Sequence, residues 1–151
     1  MNRRGSDPTG YGHYGAKRGT RKHKGIDLLT KPGMTVFSPI DGFITKLGTA
    51  YKATTRFKYI DVSGEEYRWR LMYCRPTLKL GARITAGDFI GTAQDIAAYH
   101  GGEMLCHIHV ECYKHGLLTD PEPLLFNLFE DEKNDTITDD IFNPDHILPH
   151  N

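Results

Sequence analysis

Polar and apolar residues alternate along much of this chain with the two-residue period of a half-buried strand. The clearest run lies over 66–74, where Tyr67, Trp69, Leu71 and Tyr73 fall on one side and Glu66, Arg68, Arg70 and Met72 on the other. A second run, over 105–113, sets Cys106, Ile108, Val110 and Cys112 against His107, His109 and Glu111. Shorter runs at 25–29, 35–37, 42–47, 58–62 and 88–92 are separated by Pro32-Gly33, Pro39-Ile40-Asp41-Gly42, Ser63-Gly64-Glu65 and a loop holding Gly81 and Gly87. These are the residue types that end strands and build turns. Ser63-Gly64-Glu65 has the length and composition of a hairpin loop. No helical period interrupts the strands, so the pattern predicts a mainly β, compact antiparallel domain.

The two ends read differently. Residues 1–22 are rich in Gly, Arg and Lys and form a basic N-terminal arm or long loop, with Tyr11 and Tyr14 as anchors. The β domain is expected over 23–118, and 119–151 form an acidic C-terminal tail. Within that tail Asp120-Pro121-Glu122-Pro123 starts a short helix through Leu124, Leu125, Phe126, Leu128 and Phe129, with acidic residues in its first turn. Residues 130–140 then carry six acids against Lys133, a solvated stretch.

Over 151 residues, 19 Lys+Arg balance 19 Asp+Glu. That balance argues against a general binder of nucleic acid or anionic membrane. A local basic patch survives in Arg3, Arg4, Lys17, Arg18, Arg21, Lys22 and Lys24. Cys74, Cys106 and Cys112 are odd in number and lack C-x-x-C spacing, so reduced thiols are expected. No apolar run approaches the roughly 18 residues of a membrane span. The basic N-terminus lacks a following apolar segment, so no secretory signal is read and synthesis in a cytoplasm is expected.

Candidate chemistry lies in two short motifs, His23-Lys24-Gly25-Ile26-Asp27 and His107-Ile108-His109. On a strand, His107, His109 and Glu111 share one face, about 7 Å apart from one to the next. His23 and Asp27 cannot share a metal along a straight strand, because four residues of strand span about 13 Å. Gly25 permits the turn that would bring them together. Read alone, His23 fits a solvated loop residue equally well, and the His107–His109 pair fits a polar outer strand face. Cys106 and Cys112 read as small buried hydrophobes.

Taken in order, these segments resemble the lysostaphin/LytM-type zinc metallopeptidases. The H-x-G-x-D motif is followed by Pro32-Gly33, by Val36-Phe37-Ser38-Pro39 and by Gly42 opening a strand. Gly81-Ala82-Arg83-Ile84 and Gly87-Asp88-Phe89-Ile90-Gly91 come next, and then His107-Ile108-His109-Val110-Glu111. The likeness runs over about residues 23–113. It implies a compact antiparallel fold with Zn2+ held by His23, Asp27 and His109. It also implies that His107 orients or deprotonates the water at the metal, and that the substrates are peptides of bacterial peptidoglycan.

One stretch departs from the family. Active members carry a second catalytic histidine shortly after a tyrosine, whereas here the stretch reads Leu71-Met72-Tyr73-Cys74-Arg75-Pro76. That form is similar to the leukocyte-derived chemotaxin branch, thought not to be a peptidase, and to phage-encoded proteins of the family. By strand parity only one of Tyr73 and Cys74 can face the metal. Tyr73 is expected there, its hydroxyl toward the developing oxyanion, with the fourth metal position open and Cys74 turned away. The expected function is cleavage of peptidoglycan peptides by a phage-encoded, virion-associated or lytic enzyme, with other virion or tail proteins as further partners. The alternative is a catalytically impaired zinc-binding module such as a tail component.

Overall fold

The computed structural model describes residues 3–7 and 10–125. Two short hairpins come first: β1 (Ser6–Asp7) with β2 (Gly10–Tyr11), then β3 (Lys17–Arg18) with β4 (Arg21–Lys22). The body follows as β5 (Ile26–Leu29), β6 (Thr35–Phe37), β7 (Gly42–Thr49), β8 (Lys58–Ser63), β9 (Tyr67–Met72), β10 (Cys74–Pro76), β11 (Arg83–Ile84) and β12 (Phe89–Ala93). A four-residue helix α1 (Ile96–Tyr99) precedes β13 (His107–Lys114) and β14 (Leu117–Thr119), and a 3-10 turn spans Glu122–Leu125.

The main sheet runs β11-β7-β8-β9-β13-β14, with β5 also paired to β13, and every pairing is antiparallel. A smaller sheet, β10-β12-β6, shares its core. The alternating apolar residues explain this packing. Ile26 and Leu28, Ile60 and Val62, Trp69 and Leu71, and Ile108, Val110 and Cys112 turn to one side of the main sheet. They meet Val36, Cys74 and Ile90 of the smaller sheet, all fully buried.

The opposite face is where the chemistry collects. Register places His109 opposite both Asp27 and Met72, Glu111 opposite Arg70, and Arg70 opposite Asp61. A slip of one residue would send every one of these side chains into the core. The core-face residues Ile108, Leu28, Val110 and Leu71 therefore pin the register that assembles the polar face.

Three expectations are corrected here. The run over 66–74 is not one strand: it breaks at Tyr73, whose φ of 66° lies in the left-handed region. Helix α1 was not foreseen; Asp95 caps it by accepting from the Ala98 N–H at 3.1 Å, a single turn too short to show a period. The final strand starts at His107, so Cys106 precedes it and is only half-buried. Of the expected C-terminal helix, Glu122–Leu125 form the 3-10 turn, whereas Phe126, Leu128, Phe129 and the acidic stretch lie outside the described residues. Among the described residues, no helix is long and apolar enough to cross a membrane.

Candidate metal centre

His23 reaches the sheet because Gly25 lets the chain lie directly on β13. A side chain at Gly25 would put its Cβ 2.1 Å from the Val110 carbonyl oxygen and 3.2 Å from His109 Cε1. The arm fixes the other side: His23 N–H donates to the Ala16 carbonyl at 2.7 Å, and Gly15 N–H donates to the His23 carbonyl at 2.9 Å. The result brings three atoms together. His23 Nε2 lies 3.0 Å from His109 Nδ1 and 3.1 Å from Asp27 Oδ1, and His109 Nδ1 lies 2.9 Å from that same oxygen.

The outer atoms of the rings define what the inner ones can do. His23 Nδ1 donates to the His13 carbonyl at 2.8 Å, and His109 Nε2 donates to Glu111 Oε2 at 2.9 Å. Glu111 is held in turn by the Tyr113 hydroxyl, which donates to Oε1 at 2.6 Å. When neutral, each ring thus carries its proton outside and turns a lone pair inward, beside a carboxylate oxygen. A tetrahedral ion with bonds of about 2.0–2.1 Å sets its ligand atoms roughly 3.3 Å apart. The observed spacings are a few tenths shorter, so the donor set fits such an ion with little adjustment.

The electrostatics agree. Burial opposes ionisation of Asp27, yet its bonds with His109 and His23 hold the carboxyl well below the usual range. Burial also opposes protonation of His109, yet Asp27 and Glu111 hold its pKa up to about 9. A metal ion binding there must displace that proton. Glu111 is pulled down to about 2, its burial outweighed by the bonds from His109 and Tyr113.

Arg4 completes the centre; in the sequence it reads only as part of a basic patch, with no sign of its pairing to Asp27. Its Nε and terminal nitrogen both donate to Asp27 Oδ2, at 3.0 and 2.8 Å, leaving Oδ1 for the histidines. Its N–H donates to the Asp27 carbonyl at 2.6 Å, and Arg3 bridges to Leu28. Arg4 is 2% exposed. Replacing it by alanine leaves a buried carboxylate short of two charged donors, a loss of about 1.5–3 kcal/mol. Urea unfolding of Arg4→Ala should show a loss of that size.

His107 stands beside the three atoms and is not one of them. Its Nδ1 donates to the Leu105 carbonyl at 2.7 Å, and its Nε2 lies 3.6 Å from Asp27 Oδ2, beyond hydrogen-bond reach. Burial depresses its pKa, so the ring is neutral near pH 7 with a lone pair on Nε2. The Tyr73 ring meets it edge-on at 5.5 Å.

Tyr73 gets there by breaking a rule. Met72 lies opposite His109, so a regular strand would turn Cys74, and not Tyr73, to the metal face. The left-handed φ at Tyr73, which costs a residue other than glycine about 1–2 kcal/mol, reverses the order. Cys74 passes into β10 and the core, where burial pushes its thiol up. A regular strand would therefore have put Cys74 in this groove, and Tyr73 lines it because the strand is irregular.

His23, Asp27, His107, His109 and Tyr73 all line one open groove of about 360 Å³. Arg18, Arg21, Lys22 and Lys24 line it too, so hairpin β3–β4 puts a basic lip beside the centre. A larger groove of about 650 Å³, between Phe43, Glu66 and Arg83, holds none of the candidate ligands.

Residues 21–121 match peptidase family M23. Leukocyte cell-derived chemotaxin-2 of Bos taurus is 30% identical over 106 residues, covering 70% of this chain and 69% of that one. Among solved structures, LytU superposes with a TM-score of 0.61 at 21% identity, over 83% of this chain and 86% of that one. The catalytic domain of the antimicrobial peptidase lysostaphin from Staphylococcus simulans gives a TM-score of 0.58 at 21% identity, over 76% and 88%. At those identities the structural likeness establishes a shared fold.

Proposed function

This chain belongs to peptidase family M23, and from that premise we propose that it is a zinc metallopeptidase that cuts peptide bonds of bacterial peptidoglycan. The observation that carries the reading is the convergence of His23 Nε2, Asp27 Oδ1 and His109 Nδ1 beside a neutral His107, in an open groove. Two nitrogens and one oxygen suit zinc, and three protein ligands leave a further position open. Zinc, when bound, polarises the scissile carbonyl and makes water nucleophilic near neutral pH.

The chain's own groups do the rest. His107 Nε2 takes a proton from the attacking water and returns it to the leaving amine. The Tyr73 hydroxyl donates to the oxygen of the scissile carbonyl as negative charge develops there. Glu111 and the His13 carbonyl hold the two ligand rings in the orientation that binding requires. The basic lip attracts peptides bearing free carboxylates, and that attraction is screened by salt.

Incubating the zinc-loaded protein with purified peptidoglycan should release new amino groups without releasing reducing sugar. Loss of kcat/KM on raising ionic strength from 0.01 to 0.15 M, where the Debye length drops from about 30 to 8 Å, should be larger for a carboxylate-bearing peptide than for its amide.

One observation favours a second reading. The stretch Tyr73-Cys74-Arg75-Pro76 lacks the histidine that the family resemblance calls for after the tyrosine, and the chemotaxin relative is 30% identical over 70% of this chain. On that reading the protein is a zinc-stabilised binding module, such as a phage tail component, and the peptidoglycan assay is blank while zinc remains bound.

A further inference from the structure

Tyr73 is not alone in the groove wall. The Tyr51 hydroxyl donates to the Tyr73 hydroxyl at 3.2 Å, and Tyr51 oxygen lies 3.0 Å from His100 Nε2. A phenol has one proton. Tyr51 gives that proton to Tyr73, so the bond with His100 runs from Nε2–H to the Tyr51 oxygen. Tyr73 has its acceptor side filled from behind, and its own proton is left for an acceptor in the groove.

These groups come from three separate parts of the chain and are held firmly. Tyr51 follows β7 and stacks on Tyr99 at 5.6 Å, with Phe57, 2% exposed, edge-on at 5.9 Å. His100 is the C-cap of α1, its N–H shared between the Ile96 and Ala97 carbonyls. Tyr73 is fixed by its left-handed turn, with its N–H on the Lys58 carbonyl and its carbonyl taken by Gln94 N–H. Backbone strain, an unforeseen helix and an aromatic cluster converge on one hydroxyl.

We propose that His100 and Tyr51 form a hydrogen-bond relay that orients and polarises the Tyr73 O–H toward the oxyanion of the scissile carbonyl. The relay thereby supplies the donor that a second imidazole would have supplied. It rests on the peptidase reading above. Tyr73 is the catalytic residue; Tyr51 and His100 are positioning residues, and no proton has to leave either of them. Successive hydrogen bonds polarise one another, so the end donor is stronger than an isolated phenol, whose proton would otherwise be free to rotate away.

The test separates the hydroxyls from the rings. Tyr73→Phe should lower kcat by about 10²-fold, the effect of losing one oxyanion donor. Tyr51→Phe keeps the aromatic packing and should lower kcat several-fold with KM, zinc content and melting temperature unchanged. His100→Gln, which can still donate an N–H, should be impaired less than His100→Ala.

A second readout needs no turnover. At a pH where the imidazole is neutral, 15N NMR should find His100 as the Nε2–H tautomer in the native protein. In Tyr73→Phe the Tyr51 proton loses its acceptor and can turn to His100 Nε2, raising the Nδ1–H population. An unchanged tautomer in Tyr73→Phe, or an unchanged kcat in Tyr51→Phe, overturns the relay. A protein that shifts its tautomer as expected and yet cuts no peptide supports the relay and refutes the peptidase reading instead.

Discussion

His109→Ala should bind no zinc, where the native protein binds one equivalent. His109 is the hub of the centre: its Nδ1 faces Asp27 Oδ1 and His23 Nε2, and its Nε2 is tied to Glu111. Removing the ring takes away one of three ligands and leaves the buried Glu111 carboxylate without its principal partner. The consequence for stability follows from linkage, because zinc binds the folded chain in preference to the unfolded one. At a zinc concentration about 1,000-fold above Kd the native protein gains about 4 kcal/mol, or on the order of 10 °C in Tm for a chain of this size. Melting curves of His109→Ala recorded with zinc and with chelator should therefore superpose. Native zinc content in the variant would refute the ligand assignment.

His107→Ala should do the reverse, keeping its zinc while losing peptide cleavage by about 10²–10⁴-fold, the usual worth of a positioned general base. Its Nδ1 is spent on the Leu105 carbonyl and its Nε2 stands 3.6 Å from Asp27, so the cluster closes without it. Burial keeps the ring neutral at pH 7, and a neutral ring is the form that can accept a proton. A variant that lost zinc in proportion to its activity would make His107 a ligand and not a base. The two substitutions, two residues apart on one strand, thus separate binding from catalysis.

Much of this architecture is legible in the chain itself. Strict alternation over 107–113 and through Trp69 and Leu71 fixes which face is buried, and once Ile108 and Leu28 are inside, His109 and Asp27 must be neighbours outside. The H-x-G-x-D motif carries its own turn, because only glycine fits against the Val110 carbonyl. What escaped the sequence is non-local. Arg4 reaches Asp27 across 23 positions, from an arm that reads as a loop. The His13 carbonyl that orients His23 is backbone and leaves no mark in residue type. The break at Tyr73 carries no glycine to announce it, since the surrounding structure imposes the left-handed turn. Tyr51 and His100 meet across 49 positions, which no local pattern announces.

The proposed roles also explain why so much charge is tolerated inside a small domain. Arg4, Asp27, His107, His109 and Glu111 are all less than 10% exposed, and a cluster of that kind is costly unless each member is paired. Here each carboxylate has at least two partners: Arg4, His109 and His23 on Asp27, and His109 and Tyr113 on Glu111. A metal ion fits this arrangement because the pairs leave three donor atoms facing one another.

The most direct test of the account is to strip the protein with chelator and return zinc in measured equivalents while following amine release from a peptidoglycan peptide. The account predicts no release from the stripped protein and a linear rise that ends at one equivalent. Tight binding of one zinc with no amine release at any loading would contradict it.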